Sequence, residues 1–149
     1  MPMRDHRRQL SPHKFVRDWS VVYLPTLDAQ LDMLEHDWQT YAKLPEITSH
    51  YPPEKWTRAR ELTDGARAAL QELAGLLAID LKADPPTFDA PVPLWLLAGP
   101  RNPIRQRATS LRAKVHRDLA ALSEIMESVS EADRYKAIEY QLDQEDSTS

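Results

Sequence analysis

Apolar side chains recur every three or four residues along most of this chain, and this spacing constrains the fold more than any other feature. Because an α-helix turns once in about 3.6 residues, side chains with this spacing share one helix face. No stretch shows the apolar–polar alternation of a half-buried strand. The pattern predicts an all-α bundle of four to five helices. The clearest run is Leu27, Leu31, Leu34, Trp38 and Tyr41.

Prolines and capping residues predict where the helices begin and end. Pro25 is expected to end a first helix that opens at Ser11-Pro12, and Thr26 is expected to cap a second helix, which Pro45 ends. The third stretch is either one helix, with Gly65 allowing a bend, or two helices joined near Gly65; one helix is favoured because the apolar phase continues across the glycine. Asn102-Pro103 should open a fourth helix. The predicted helices are about 12–24, 26–44, 53–82, 104–129 and 131–145, with a Pro-rich apolar loop at 83–103.

The last third of the chain leaves two alternatives open. The apolar positions from Ile104 to Val129 approach the heptad spacing of coiled coils, and neither proline nor glycine follows Ile104. Residues 104–145 are therefore either one helix or two. In the second case Ser128-x-x-Glu131 would form a capping box. The helix that it starts would carry an apolar stripe of Tyr135, Ile138 and Leu142.

The 149 residues fit a single helical domain, expected at 1–146. Residues 1–10 are expected to form a flexible basic arm and residues 147–149 a disordered tail. Gly75, inside the third predicted helix, is interpreted as a point of close packing against a neighbour.

Composition removes several classes of function. The absence of cysteine excludes disulfides, thiolate metal sites and cysteine nucleophiles, and three glycines leave no Gly-rich phosphate loop. None of the five histidines lies in a Glu-x-x-His pair of the di-iron type. We therefore expect no enzyme activity, no cofactor, no metal and no small-molecule substrate. The longest apolar run is far too short for a membrane span and no secretory signal is visible, so a cytoplasmic location is expected.

The net charge of −4 conceals strong segregation. Residues 101–117 carry six cations and no acid, whereas residues 118–149 carry nine acids and two cations. The cations could pair with acids such as Asp28 and Glu35 on neighbouring helices, as flanking charges do in bundles. Alternatively, they could contact a nucleic acid or an acidic protein surface. The residues with a predicted role are Arg101, Arg105, Arg107, Arg112 and Lys114.

The Pro-rich loop holds apolar side chains that cannot all remain in water cheaply, including Trp95, Leu96 and Leu97. These side chains either cap one end of the bundle or anchor a partner.

These features together predict a small non-enzymatic helical protein that binds another macromolecule as a regulator, inhibitor or adaptor, and they favour a protein as that partner. Trp95, Leu96 and Leu97 would anchor the partner, and the cations of 101–117 would steer it if it is acidic. The heptad spacing also permits a homodimer. The alternative is a nucleic-acid-associated regulator or accessory factor that uses the basic helix edge 101–117.

Overall fold

The computed structural model describes residues 12–83, 93, 95 and 98–148. Within these ranges the chain forms helices and turns and no strand, which confirms the predicted all-α helical bundle. The predicted arm 1–10, Leu96 and Leu97 lie outside the described residues. The helices are α1 (Pro12–Lys43), α2 (Pro45–Thr48), α3 (Glu54–Leu76), α4 (Pro103–Glu127) and α5 (Glu131–Thr148).

Helix α1 continues through Pro25, so the predicted break at this proline is wrong. Thr26 does not act as an N-cap, because its hydroxyl donates to the Val22 carbonyl at 2.9 Å. A proline inside a helix costs about 3 kcal/mol, since it removes one backbone hydrogen bond and crowds the preceding turn. Leu24 and Leu27 on either side of it are both buried. Their burial in one continuous stripe offsets the cost of the proline.

Helix α3 runs without interruption through Gly65 and ends at Leu76, earlier than predicted. Its end is a Schellman motif, in which the Ile79 amide donates to the Ala74 carbonyl at 2.9 Å. Ala78 takes the left-handed conformation that this motif requires, with φ of 55°. The interpretation of Gly75 as a close-packing point is wrong for the part of the chain that the structure describes, because an added Cβ would meet none of its atoms within 4 Å.

The chain from residue 103 forms two helices, which decides between the two alternatives. Asn102 caps α4 as predicted, since its side-chain oxygen accepts from the Ile104 amide at 2.9 Å. The predicted capping box at Ser128 is wrong, because Ser130 caps α5 by accepting from the Asp133 amide at 3.2 Å. Helix α5 also continues to Thr148, through part of the predicted disordered tail.

Contacts within the chain group it into two compact units. The first comprises Met1–Ala29 and Arg67–Val115, and the second comprises Gln30–Ala66 and His116–Ser149. Helices α1, α3 and α4 supply most buried apolar side chains of both units among the described residues. In the first unit these include Leu24, Leu27, Leu70, Leu73, Leu111 and Val115; in the second they include Leu31, Trp38, Ile47, Leu62, Leu119 and Leu122.

Candidate protein-binding surface

The inward face of α5 is polar, and its centre is the carboxylate of Asp133. This side chain is 2% exposed, although it lies in the first turn of the helix. The Tyr51 hydroxyl donates to one carboxylate oxygen at 2.7 Å, and His50 Nδ1 lies 3.1 Å from both oxygens. Burial raises the pKa of Asp133, but the bonds from Tyr51, His50 and Ser130 outweigh it and hold this pKa below its ordinary value. Asp133 is therefore a buried anion held by the connection between α2 and α3.

The turn between α4 and α5 is closed by the same polar groups. The Ser130 amide donates to the Tyr51 hydroxyl at 2.8 Å, so this phenol bonds both to the cap residue and to Asp133. The Arg134 guanidinium donates to the carbonyls of Met126 and Glu127 at the end of α4, at 3.1 and 2.9 Å. These carbonyls have no partner within their own helix, and a cation stabilises them. The turn thus sets the rotation of α5 about its axis.

Further along α5, a second set of polar contacts keeps the same face inward. The Gln141 amide donates to the Thr40 hydroxyl at 3.3 Å and lies 2.9 Å from His36 Nε2 on α1. Between these contacts and Asp133, the small side chain of Ala137 is buried. The inward face of α5 therefore consists of Asp133, Ala137 and Gln141, and it carries no large apolar side chain.

The large apolar side chains of α5 point outward instead. Tyr135 is 67% exposed, Ile138 is 50% exposed and Leu142 is 54% exposed. The sequence predicted these three residues as the apolar stripe of this helix, and the structure turns that stripe to solvent. Their spacing of three and four residues does place them on one helix face, here named the outer stripe. Since α5 reverses the usual amphipathic arrangement of a bundle helix, the outer stripe is the strongest candidate for a binding surface.

A cavity of about 240 Å³ lies between α1 and α5, beside the outer stripe. Ile138 and Arg134 line it from α5, and Asp37 and Tyr41 line it from α1. Burial raises the pKa of Asp37, and the charge of neighbouring His36 offsets this only in part. Asp37 forms neither a hydrogen bond nor an ion pair with any group in the described ranges. The cavity therefore contains a half-buried carboxylate without a partner.

Two further side chains near Tyr51, those of Lys55 and Ser128, carry potentially reactive groups, but the described residues form no candidate site around them. Lys55 contacts the Ser128 hydroxyl, and its ammonium lies 4.5 Å from the centre of the Tyr51 ring. Burial lowers the pKa of Lys55. The Ser128 hydroxyl donates to the Ile125 carbonyl at 2.6 Å, so it is committed to the end of α4. Among the described residues, no three His, Cys, Asp or Glu side chains are grouped to hold a metal ion.

Trp95, the described member of the predicted apolar anchor, is half-buried in the first unit. Its indole N–H donates to the Leu76 carbonyl at 2.7 Å, at the end of α3. A carbonyl at a helix end needs such a donor. This bond fixes Trp95 against the end of α3, and the rest of the predicted apolar anchor lies outside the described residues.

The basic residues of 101–117 have partners of several kinds within the first unit. Arg107 forms a two-pronged ion pair with Glu72, at 2.6 and 2.8 Å, which lowers the pKa of the Glu72 carboxyl. The Arg105 guanidinium donates to the Ala98 carbonyl at 2.7 Å, and the Arg112 guanidinium lies 5.9 Å from the centre of the Tyr23 ring. Lys114 also has a partner, and Arg101 is exposed.

Asp28, one of the acids expected to pair with these arginines, has other partners. Asp28 is 3% exposed and lies 2.5 Å from Lys82 Nζ and 3.7 Å from the Arg67 guanidinium. Burial of one carboxylate between two cations is a stable arrangement, since a buried charge needs a partner. Internal pairing of the basic segment is thus seen for Arg107, with Glu72 rather than Asp28.

The residues that orient α5 were not among those predicted from the sequence. Tyr51 and His50 lie about 80 residues before Asp133, and nothing in their local spacing signals the contact. One signal was present: Ser130-x-x-Asp133 has the hydroxyl and acid of a capping motif, one turn after the end of the heptad stripe.

Comparison with known proteins gives no relative: no family model, curated protein or solved structure matches the chain. In the described part of the chain, no helix has the length and apolar character needed to cross a membrane.

Proposed function

We propose that this chain is a small non-enzymatic protein that binds a protein partner through the outer stripe of α5. The observation that carries this proposal is the reversed polarity of α5: Asp133 is turned inward while Ile138 is turned to solvent. Exposed apolar surface is unfavourable by roughly 25 cal/mol per Å² relative to burial. The buried bonds of Asp133 hold α5 in this orientation, and a partner that covers the stripe would recover that free energy.

The composition of the surface favours a protein over a nucleic acid as the partner. Tyrosine is a typical anchor in protein interfaces, and the buried centre of such an interface is apolar and poor in charge. The same helix carries Glu131, Glu139 and Asp143 on its exposed surface, and these would repel a phosphate backbone. Roles as a regulator, inhibitor or adaptor, and a cytoplasmic location, remain expectations from the sequence.

The alternative, a nucleic-acid-associated regulator, rests on the cations of 101–117. Arg107 is already paired with Glu72, which reduces the charge that this edge can offer to phosphates. Fluorescence anisotropy with generic duplex DNA and single-stranded RNA across a salt series tests it. Binding that weakens steeply with salt and is lost in an Arg105→Glu/Arg112→Glu variant would favour this alternative.

Site-specific photo-crosslinking tests the proposal directly. A benzophenone amino acid is placed at position 138 on the outer stripe, or at position 33 as the control. Met33 is 59% exposed on α1, so the two sites are matched in exposure and apolar character. In cells that make the protein, we expect a discrete crosslinked protein from position 138 that is absent from position 33. Equal crosslinking from both positions, or none from position 138, would contradict the proposal.

A further inference from the structure

Acidic side chains frame the outer stripe. Glu139 follows Tyr135 by four residues and precedes Leu142 by three, so it lies beside both. Glu131 lies one turn before Tyr135, and Asp143 lies one turn after Glu139. All three acids are exposed, and their carboxylates form no ion pair with a cation in the described ranges. The apolar surface is therefore bordered by uncompensated negative charge.

The two cations of α5 do not neutralise this border. Arg134 is engaged with the carbonyls of Met126 and Glu127, where its charge stabilises the end of α4. Lys136 Nζ lies 4.0 Å from the carboxylate of Asp133, which belongs to the inward face. Arg134 also lines the surface hollow formed with Glu131, Tyr135 and Ile138. The three exposed acids outnumber this one cation beside the outer stripe, so the charge around the stripe is negative on balance.

The cavity beside the stripe adds an anion at a defined position. Ile138 belongs to the outer stripe and also lines the cavity, so the two surfaces are continuous. Asp37 inside the cavity is half-buried and has no partner among the described groups. A cavity of about 240 Å³ is large enough for the end of one long side chain. Arg134 lines the same cavity but forms no ion pair with Asp37 within the described ranges, so a further cationic side chain can pair directly with this half-buried carboxylate.

From this charge pattern we infer that the partner contacts α5 with a basic amphipathic helix, whose apolar face covers the outer stripe and whose Lys or Arg side chains meet the acidic border. One cation of that helix enters the cavity and pairs with Asp37. The inference rests on the proposed function, since it specifies the partner for the same surface. When one helix docks against another in this way, apolar side chains three, four and seven residues apart make the contact, and the outer stripe has this spacing. A second copy of α5 would instead place acid against acid.

Designed peptides test the inference without knowledge of the natural partner. The probe is a fluorescent amphipathic peptide as long as α5, 18 residues, with leucines on one face and lysines on the other. The first reference peptide has glutamate at every lysine position, and the second has the lysine–leucine composition in a scrambled order without an apolar face. We expect the cationic amphipathic peptide to bind at least about tenfold more tightly than either reference, with affinity that falls as salt screens the border.

Variants separate the contributions of stripe, border and cavity. Ile138→Ser should weaken binding of the cationic peptide by about tenfold or more, because it removes the central apolar anchor. Glu139→Gln/Asp143→Asn should weaken binding of the cationic peptide and reduce the salt dependence of that binding. The control Glu61→Gln/Asp64→Asn removes two exposed acids of α3 and should change neither quantity. Asp37→Asn should weaken binding of the lysine peptide without changing binding of the glutamate peptide.

Three outcomes would overturn the inference. If the glutamate peptide bound more tightly than the lysine peptide, and Ile138→Ser weakened that binding, α5 would remain a protein-binding surface but its partner would be acidic rather than basic. Self-association in sedimentation that Ile138→Ser abolishes would make the occupant a second copy. Failure of every peptide to bind would reject the basic helix, while crosslinking at position 138 would still decide the proposed function independently.

Discussion

The Tyr51 hydroxyl donates a 2.7 Å hydrogen bond to the carboxylate of Asp133, and this contact relates the α2–α3 connection to the first turn of α5. The hydroxyl oxygen of Tyr51 also accepts from the Ser130 amide. One phenol therefore bonds both to the cap residue of α5 and to its buried acid. A rotation of α5 that turned its apolar side chains inward would break these bonds. The buried acid prevents this, because its hydrogen bonds exist in one rotation of the helix. The exposure of Tyr135, Ile138 and Leu142 is a consequence of that orientation.

Replacement of Tyr51 by Phe removes this hydroxyl and retains the ring that packs against Trp56. We expect the free energy of unfolding to fall by about 2 kcal/mol, since a buried carboxylate loses a donor and the Ser130 amide loses an acceptor. Urea unfolding measures the change. The control Tyr135→Phe alters a 67% exposed residue and should change the free energy by less than about 0.5 kcal/mol. Equal effects of the two substitutions would contradict the role of Tyr51.

Stability should also depend on pH through Asp133. Because its pKa in the folded state lies below the ordinary value of 3.8, its ionised form stabilises the fold. This contribution is complete above pH 3.8 and is lost as pH falls through the folded-state pKa. Asp37 has a raised pKa and acts in the opposite direction, so comparison with Asp133→Asn is needed to isolate Asp133.

Urea unfolding from about pH 6 to about pH 2 therefore compares wild type with Asp133→Asn. We expect a large stability difference at pH 6 that shrinks steadily below about pH 4. Asp143→Asn serves as the matched control on the exposed surface of α5. A difference between wild type and Asp133→Asn that stays constant over this range would show that the charge of Asp133 contributes nothing.

The helices themselves could be predicted, because apolar spacing reports directly which residues share a face. The buried residues Leu31, Leu34 and Trp38 were identified in this way. Helix ends were less predictable where tertiary burial competes with local preference. Pro25 favours a break locally, yet burial of Leu24 and Leu27 on one stripe outweighs that preference.

The orientation of α5 could not be predicted from its own residues. Spacing shows that Tyr135, Ile138 and Leu142 share a face, and it does not show whether that face is buried. The deciding contacts come from His50 and Tyr51, which are distant in sequence, and from Gln141 with Thr40. Such polar contacts depend on the tertiary arrangement, and a single sequence carries no signal for them.

Gly75 offers a simple test of the α3 end. It lies in the last turn of the helix, is exposed, and an added Cβ would meet nothing within 4 Å. We expect Gly75→Ala to stabilise the protein by about 0.5–1 kcal/mol, because alanine loses less backbone entropy in a helix. Thermal unfolding followed by circular dichroism measures this. A lower midpoint would show instead that Gly75 packs closely, as its sequence context had suggested.

Trp95 should act in folding through its bond to the Leu76 carbonyl. Replacement by Phe retains an aromatic ring and removes the indole donor. We expect a loss of about 1 kcal/mol of unfolding free energy, the usual contribution of one hydrogen bond. Peptide binding to α5 should be unchanged. A variant with unaltered stability but weakened partner binding would return Trp95 to its predicted role as an anchor.

The most direct test of whether the outer stripe binds a partner is the affinity of the protein that crosslinks to position 138. Isothermal titration compares the purified partner's binding to wild type, to Tyr135→Ser/Ile138→Ser/Leu142→Ser and to Met33→Ser. The predicted result is binding at least about tenfold weaker in the triple variant, with unfolding free energy within about 1 kcal/mol of wild type and Met33→Ser unaffected. Binding of the triple variant within about twofold of wild type, or its unfolding, would contradict the assignment.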